Sequence, residues 1–185
     1  MNYKALAISA AWSMVILVSV QPRAAGAGAE IKATGTLTTT FVRDALGNPE
    51  IVPERTEGGL GVLSRYSLST YVSGSLRGKT LALQTVVRDD AVEKKAFQTN
   101  IGQFWGTLAG FEGSFSFIVH NVVDRSACPC PPGATPFEGK FVVVEGTGSG
   151  GLEGICGGGT LKTVVGVGTE YDYTFRFGKD CRAND

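Results

Sequence analysis

Eight segments of the chain alternate apolar with polar residues, which is the pattern of β-strands that bury one face. Their positions are 31–41, 65–72, 81–88, 97–105, 114–120, 140–144, 160–165 and 171–177. The apolar positions of each segment are expected to point inward. In the second to fourth segments the positions assigned inward are Tyr66, Leu68, Thr70, Val72, Leu81, Leu83, Thr85, Val87, Phe97, Thr99, Ile101, Gln103 and Trp105. No segment has a helical period, so the sequence predicts an all-β protein.

A five-residue pattern, G-x-L-x-G, occurs three times between these segments, at 74–78, 106–110 and 150–154. Glycine enters positive φ freely, and a buried leucine can anchor a turn to the core, so each copy suits a strand-to-strand connection. The second spacing is longer because it contains the irregular segment 122–136, without which the spacings are comparable. We therefore expect antiparallel hairpins in which Leu76, Leu108 and Leu152 are buried.

Eight half-buried strands either pack as a sandwich or close into a barrel, because an open sheet would leave two unpaired edges. The expected fold is a single eight-stranded antiparallel up-and-down barrel. A barrel of this size is just wide enough to be filled by side chains or to hold one small ligand. Both interiors remain open at this point, since the aromatic rings assigned inward could fill the barrel.

The first 29 residues have the features of a secretory signal peptide: Lys4 precedes an apolar run at 5–20, and small residues stand at 27–29. Their removal leaves one domain, residues 30–185, in which 15 basic residues face 17 acidic ones because Lys4 and Arg23 are lost. Near-neutral charge without a basic stripe argues against a nucleic-acid partner. We expect a secreted or periplasmic protein with no membrane attachment after processing.

Four cysteines on an exported chain favour two disulfides. Cys156 and Cys181 lie nearly symmetrically about the last predicted hairpin, so a bridge between them is one possible pairing, and the connectivity stays open. Cys128 and Cys130 would then pair with each other or exchange with that pair. The paired C-x-x-C spacing of a zinc ribbon is missing, so no metal is expected, and no sequence motif indicates a cofactor.

Several motifs together resemble an uncharacterised bacterial domain family. They are the run ATGT at 33–36, the first G-x-L-x-G copy, and the stretches 106–115 and 146–154. That family is similar in turn to the barrel of plant allene oxide cyclases and, more distantly, to dirigent proteins. The resemblance extends over residues 32–177. It implies the barrel fold of the allene oxide cyclase-like type and, by analogy, a site that holds an apolar molecule in a fixed shape.

Two functions from different classes follow from these expectations. One is a secreted barrel that holds a small apolar molecule, with an isomerase or cyclase as its catalytic extension. The other is a non-catalytic structural or interaction protein with a filled core. For the first, the candidate ligand-binding residues are Tyr66, Gln103, Trp105, Phe115, Phe117, Asn121 and Tyr173.

Glu145 is the candidate catalytic group, because a carboxylate of inward parity in an apolar barrel can have a raised pKa. The glycine run that follows it favours an exposed position at the rim instead. His120, the single histidine, is expected to point outward. Neither the ligand nor the oligomeric state can be deduced from these residues.

Overall fold

Ten β-strands are present in the described part of the chain, which comprises residues 30–47, 51–57, 60–89, 95–124, 137–164, 168–178 and 181 of a computed structural model. They are β1 (Ile31–Phe41), β2 (Ile51–Glu57), β3 (Leu60–Tyr71), β4 (Leu76–Asp89), β5 (Lys95–Leu108), β6 (Phe111–Asp124), β7 (Glu138–Val143), β8 (Ser149–Gly150), β9 (Ile155–Val164) and β10 (Gly168–Phe177). The predicted signal peptide, residues 1–29, lies outside the described residues.

Eight of these strands form a closed antiparallel barrel in the order β1, β3, β4, β5, β6, β7, β9 and β10. Closure depends on β1, because its first part pairs with β10 and its second part pairs with β3. Leu37 lies at the changeover, opposite both Thr169 and Tyr71. Strand β2 pairs with the part of β3 that β1 leaves free, and β8 is a two-residue addition to β6. The predicted up-and-down barrel is confirmed.

The three G-x-L-x-G copies close one end of this barrel. Leu76 begins β4, Leu108 ends β5 directly opposite, and Leu152 lies in the turn before β9. Each of these leucines is 0% exposed, so their predicted burial is confirmed. The hairpin turn of the second copy consists of Ala109 and Gly110, with φ of 49° and 89°. These left-handed values are the ones that a two-residue type I′ turn requires.

Aromatic rings fill the barrel next to these leucines. Phe104 stacks on Phe115 with ring centroids 4.8 Å apart, and Phe115 contacts Phe175 at 5.9 Å. All three rings are completely buried. Since each buried ring removes a large apolar area from water, this half of the barrel is a solid hydrophobic core.

The inward orientation predicted for β3, β4 and β5 is wrong. The buried residues of these strands have the opposite parity and are Ser67, Tyr71, Leu76, Thr80, Ala82, Gln84, Ala96, Gln98, Phe104 and Leu108. Large apolar side chains assigned inward are instead 38% to 58% exposed on the outer surface, namely Tyr66, Leu68, Val72, Leu81, Leu83, Phe97, Ile101 and Trp105. The physical reason is that the inner side of these strands faces a partly polar cavity, where polar side chains are accommodated.

A disulfide joins Cys156 in β9 to Cys181 beyond the end of β10, with Cα atoms 5.5 Å apart. This is one of the pairings that the sequence left open. The backbone N–H of Gly178 also donates to the Gly154 carbonyl at 3.0 Å, so the chain after β10 is held against the closed end. Cys128 and Cys130 lie outside the described residues, and the second bridge stays a prediction.

Candidate ligand-binding cavity

The half of the barrel opposite the closed end contains a cavity of about 750 Å³. Small-molecule sites usually measure about 300–1,000 Å³, so this volume is sufficient for a ligand. The side chains that line the cavity include Phe41, Arg65, Tyr71, Ala82, Gln84, Gln98, Phe117, Val119, Asn121, Phe141, Leu161 and Tyr173.

One wall of the cavity is aromatic and comes from β6, β7 and β10. Phe117 stacks on Phe141 with centroids 5.3 Å apart, and Phe141 stacks on Tyr173 at 4.2 Å. Gly159 of β9 lies between Phe141 and Tyr173 in the sheet, and its missing side chain allows the two rings to meet. Because the rings already hold one another, a ligand would not have to order this wall.

The facing wall, from β3, β4 and β5, is polar. Arg65 Nε donates to Gln84 Oε1 at 2.6 Å, and the guanidinium carbon lies 3.4 Å from the centre of the Phe41 ring. Gln98 Nε2 donates to Asn100 Oδ1 at 3.4 Å. This side therefore presents hydrogen-bonding groups and one cation to the interior.

Asn121 of β6 stands between the two walls and is 3% exposed. Neither atom of its terminal amide has a hydrogen-bond partner among the described residues. Its neighbour across the sheet is Gly139, where an added Cβ would collide with Asn121 Oδ1. The glycine thus makes room for an amide whose burial without partners costs about 1–3 kcal/mol. Such a group is a candidate for a hydrogen bond to a molecule that enters the cavity.

Two buried tyrosine hydroxyls lie at the inner end of the cavity. Burial is the main cause that raises the pKa of both Tyr71 and Tyr173 above the ordinary value of a tyrosine, so both stay protonated at neutral pH. The Tyr71 and Tyr173 hydroxyls also interact with each other, and this interaction raises the pKa of Tyr71 while it lowers that of Tyr173. Neutral phenols of raised pKa donate hydrogen bonds but are poor acids, which suits recognition better than proton transfer.

Three of the seven candidate ligand-binding residues line the cavity, and these are Phe117, Asn121 and Tyr173. Phe115 lies in the aromatic core next to it and is fully buried. The remaining three point away from the interior because they belong to the misassigned strands, and these are Tyr66, Gln103 and Trp105.

Glu145 does not line the cavity. It follows β7 at the closed end and is exposed, which is the alternative that its glycine-rich surroundings favoured. His120 is exposed on the outer surface, as predicted, with Nδ1 3.3 Å from Thr99 Oγ1. Among the described residues, no group of three His, Cys, Asp or Glu side chains could hold a metal ion. That part of the chain also contains no helix long and apolar enough to cross a membrane.

The polar wall is the part of the site that apolar alternation alone misses. A signal for it exists in the buried repeat leucines. Strand alternation continues the inward direction from Leu76 to Gln84 along β4, and from Leu108 back to Gln98 along β5. In a regular strand, residues of opposite parity point to opposite sides. If Leu76 and Leu108 are buried, Leu83 must therefore point outward.

Residues 33–177, which include nearly all of the barrel, match the family described as Protein of unknown function (DUF3224). The chain belongs to this family. The resemblance to an uncharacterised bacterial domain family is thereby confirmed. No curated protein matches the chain.

A crystal structure of a DUF3224 protein of unknown function from Shewanella oneidensis MR-1 is similar to this barrel, with a TM-score of 0.57. The two sequences are 19% identical, and the match covers 81% of this chain and 98% of that one. At this identity the likeness shows a shared DUF3224 fold.

Proposed function

We propose that this DUF3224 barrel binds a small amphipathic molecule in its cavity. The observation that carries the proposal is the aromatic wall facing a polar wall, with the unpartnered amide of Asn121 between them. The apolar part of a ligand would pack against Phe117 and Phe141 and be removed from water. This burial contributes about 25 cal/mol to the binding free energy for each Å² of apolar area. The polar end of the ligand would meet Gln84 and Gln98, whose amides offer both donors and acceptors.

Binding is better supported than catalysis. Arg65 is the only charged side chain among the lining residues that the structure describes, and these include no carboxylate and no histidine. General acid–base catalysis needs a positioned group whose pKa lies near the working pH. An isomerase or cyclase activity would therefore have to rely on shape and hydrogen bonding, whereas binding needs nothing more.

The alternative of a structural protein with a filled core fits only the closed half of the barrel. That half is packed with rings and leucines, but the other half holds about 750 Å³ of space. An unfilled cavity lowers the free energy of unfolding, because the side chains around it lose packing contacts. A barrel with a purely structural role has no reason to retain one.

The site of action that we propose is outside the cytoplasm. The Cys156–Cys181 disulfide supports this, since such bonds persist in oxidising compartments. The pattern of residues 1–29 supports it independently. Amino-terminal sequencing of the protein from the exported fraction should yield a start near Glu30, and an uncleaved cytoplasmic product would contradict the proposal.

Native mass spectrometry of the exported protein should detect a retained small molecule, and anilinonaphthalene sulfonate serves as a fluorescent amphipathic probe. Ala82→Phe puts a ring into the cavity from β4 and should weaken probe binding at least about tenfold. Thr160→Phe is the control, because Thr160 is exposed on the outer side of β9 and the added ring does not enter the cavity. Equal binding by both variants, or neither retained molecule nor probe binding in the wild type, would contradict the proposal.

A further inference from the structure

The outer surface of β3, β4 and β5 carries many apolar side chains. In a monomer these side chains would be exposed to water. Six side chains form what we call the apolar face, each between 38% and 58% exposed: Tyr66, Leu68, Leu81, Leu83, Phe97 and Ile101. Tyr66 is paired with Leu83, and Leu83 with Ile101. The same row continues through Ile118 on β6 to Val142 on β7. Monomeric soluble proteins rarely expose contiguous apolar patches larger than a few hundred Å².

The face also lacks charge. Four register rows of outward positions cross the three strands, and they contain Val62, Ser64, Tyr66, Leu68, Leu81, Leu83, Thr85, Val87, Phe97, Thr99, Ile101 and Gln103. None of these twelve carries a charge. On the opposite side of the barrel, Lys162, Glu170, Asp172 and Arg176 are all exposed. The apolar character is therefore local to one side of the barrel.

The size of the face sets the area that two copies would bury. Its twelve uncharged positions form four rows about 6.6 Å apart on three strands about 4.8 Å apart, so they cover about 20 Å by 10 Å, and two copies bury about 400 Å² over them. Ile118, Val122 and Val142 widen the contact across β6 and β7 to about 20 Å by 19 Å, or about 800 Å² for two copies, with Glu138 and Lys140 at that edge. A specific interface needs about 1,000 Å². Val72 and Trp105, which are 53% and 45% exposed beside the face, add to the area.

We propose that the apolar face is a self-association surface whose partner is a second copy of this chain. A two-fold axis through the face sets the same patch against itself, so a surface without charges is self-complementary, whereas like charges there would repel. Antiparallel sheets pack face to face about 10 Å apart, which would bury the side chains of both copies. The cavity lies on the inner side of the same strands, so self-association does not depend on the proposed ligand.

Light scattering after gel filtration tests this on the purified protein as its host processes it, and the expected mass is twice that of the chain. Ile101→Lys places an ammonium group in the middle of the face and should raise the dimer dissociation constant at least about tenfold. Ile101 is 58% exposed in a single copy, so the fold tolerates the change. Thr160→Lys adds the same charge on exposed β9 and should leave the mass unchanged.

Trp105 supplies a second measurement, because it is the only tryptophan in residues 30–185 and borders the face. Its emission should move to longer wavelength in Ile101→Lys while the far-ultraviolet circular dichroism stays the same. Tyr66→Lys replaces Ile101→Lys if that variant does not fold. A monomeric wild type overturns the proposal. This holds equally if the monomer covers its face with residues 1–29 or if the face binds phosphatidylcholine vesicles. A dimer equally tight in the Ile101→Lys and Thr160→Lys variants overturns it too.

Discussion

Replacing Asn121 with leucine should make the ligand-free protein more stable. The two side chains branch alike at Cγ, so leucine can occupy the space that the amide now fills above Gly139. The change removes two buried polar atoms that have no partner among the described residues. Since an unsatisfied buried polar group costs about 1–3 kcal/mol, the free energy of unfolding should rise by about that amount.

Urea denaturation followed by circular dichroism measures this effect. With a typical slope of about 1–3 kcal/mol per molar urea, the unfolding midpoint should rise by about 1 M at constant slope. The same variant should bind anilinonaphthalene sulfonate less tightly, because it loses the proposed orienting group. Asn100→Leu is the control, since the Asn100 amide accepts a hydrogen bond from Gln98 and its removal should bring no gain.

A less stable Asn121→Leu protein would refute the reasoning, because it would mean that the amide is satisfied in solution. Gly139→Ala checks the same contact from the other strand. Its Cβ collides with Asn121 Oδ1 and should cost about 1–3 kcal/mol through overpacking. That cost should fall in an Asn121→Ala background, and strictly additive effects would show that the two residues do not interact.

Three further changes address the frame of the barrel. Replacing Cys156 and Cys181 by alanine should lower the free energy of unfolding by about 3.5 kcal/mol, the loop-closure value for a separation of 25 residues; a loss below about 1 kcal/mol in urea would contradict this. Leu108→Ala should cost about 2–5 kcal/mol through lost burial and a cavity, and an unchanged thermal midpoint would show that the repeat leucine does not anchor the core. Ala109→Asn should add up to about 1 kcal/mol, because asparagine tolerates the left-handed turn better than alanine does. Thermal melting tests this left-handed turn by comparing Ala109→Asn with Ala109→Val, which should be less stable than the wild type.

The barrel strands and their order could be predicted because alternation and glycine turns are local properties of the chain. The alternation also orients β6, β7 and β10 correctly, since Phe117, Phe141 and Tyr173 face a core of other rings. Strand β2 is not predicted. Pro53 and the charged residues beside it interrupt any alternation there, and its register with β3 shifts between Val52 and Arg55.

The polar wall could not be predicted from alternation because a strand pattern identifies two faces without saying which one is inside. In β3 to β5 the more apolar face is the outer one, and the inner one carries Gln84 and Gln98. Which face is buried depends on long-range packing, and the only local clue is the parity of Leu76 and Leu108. The unpartnered state of Asn121 is likewise a property of its surroundings and not of its strand.

The leucines and rings that close one end of the barrel give the described part of the molecule the form of a cup with a single opening. Entry and departure of a guest would share one route, so a tightly fitting guest would leave slowly. Strands β4 and β6 end, and β5 and β7 begin, at the open end, whereas Leu76, Leu108 and Leu152 lie at the other end of the barrel. The residues that support folding and the residues that line the opening are therefore separated along the barrel axis, so a substitution at one end should leave the other end intact.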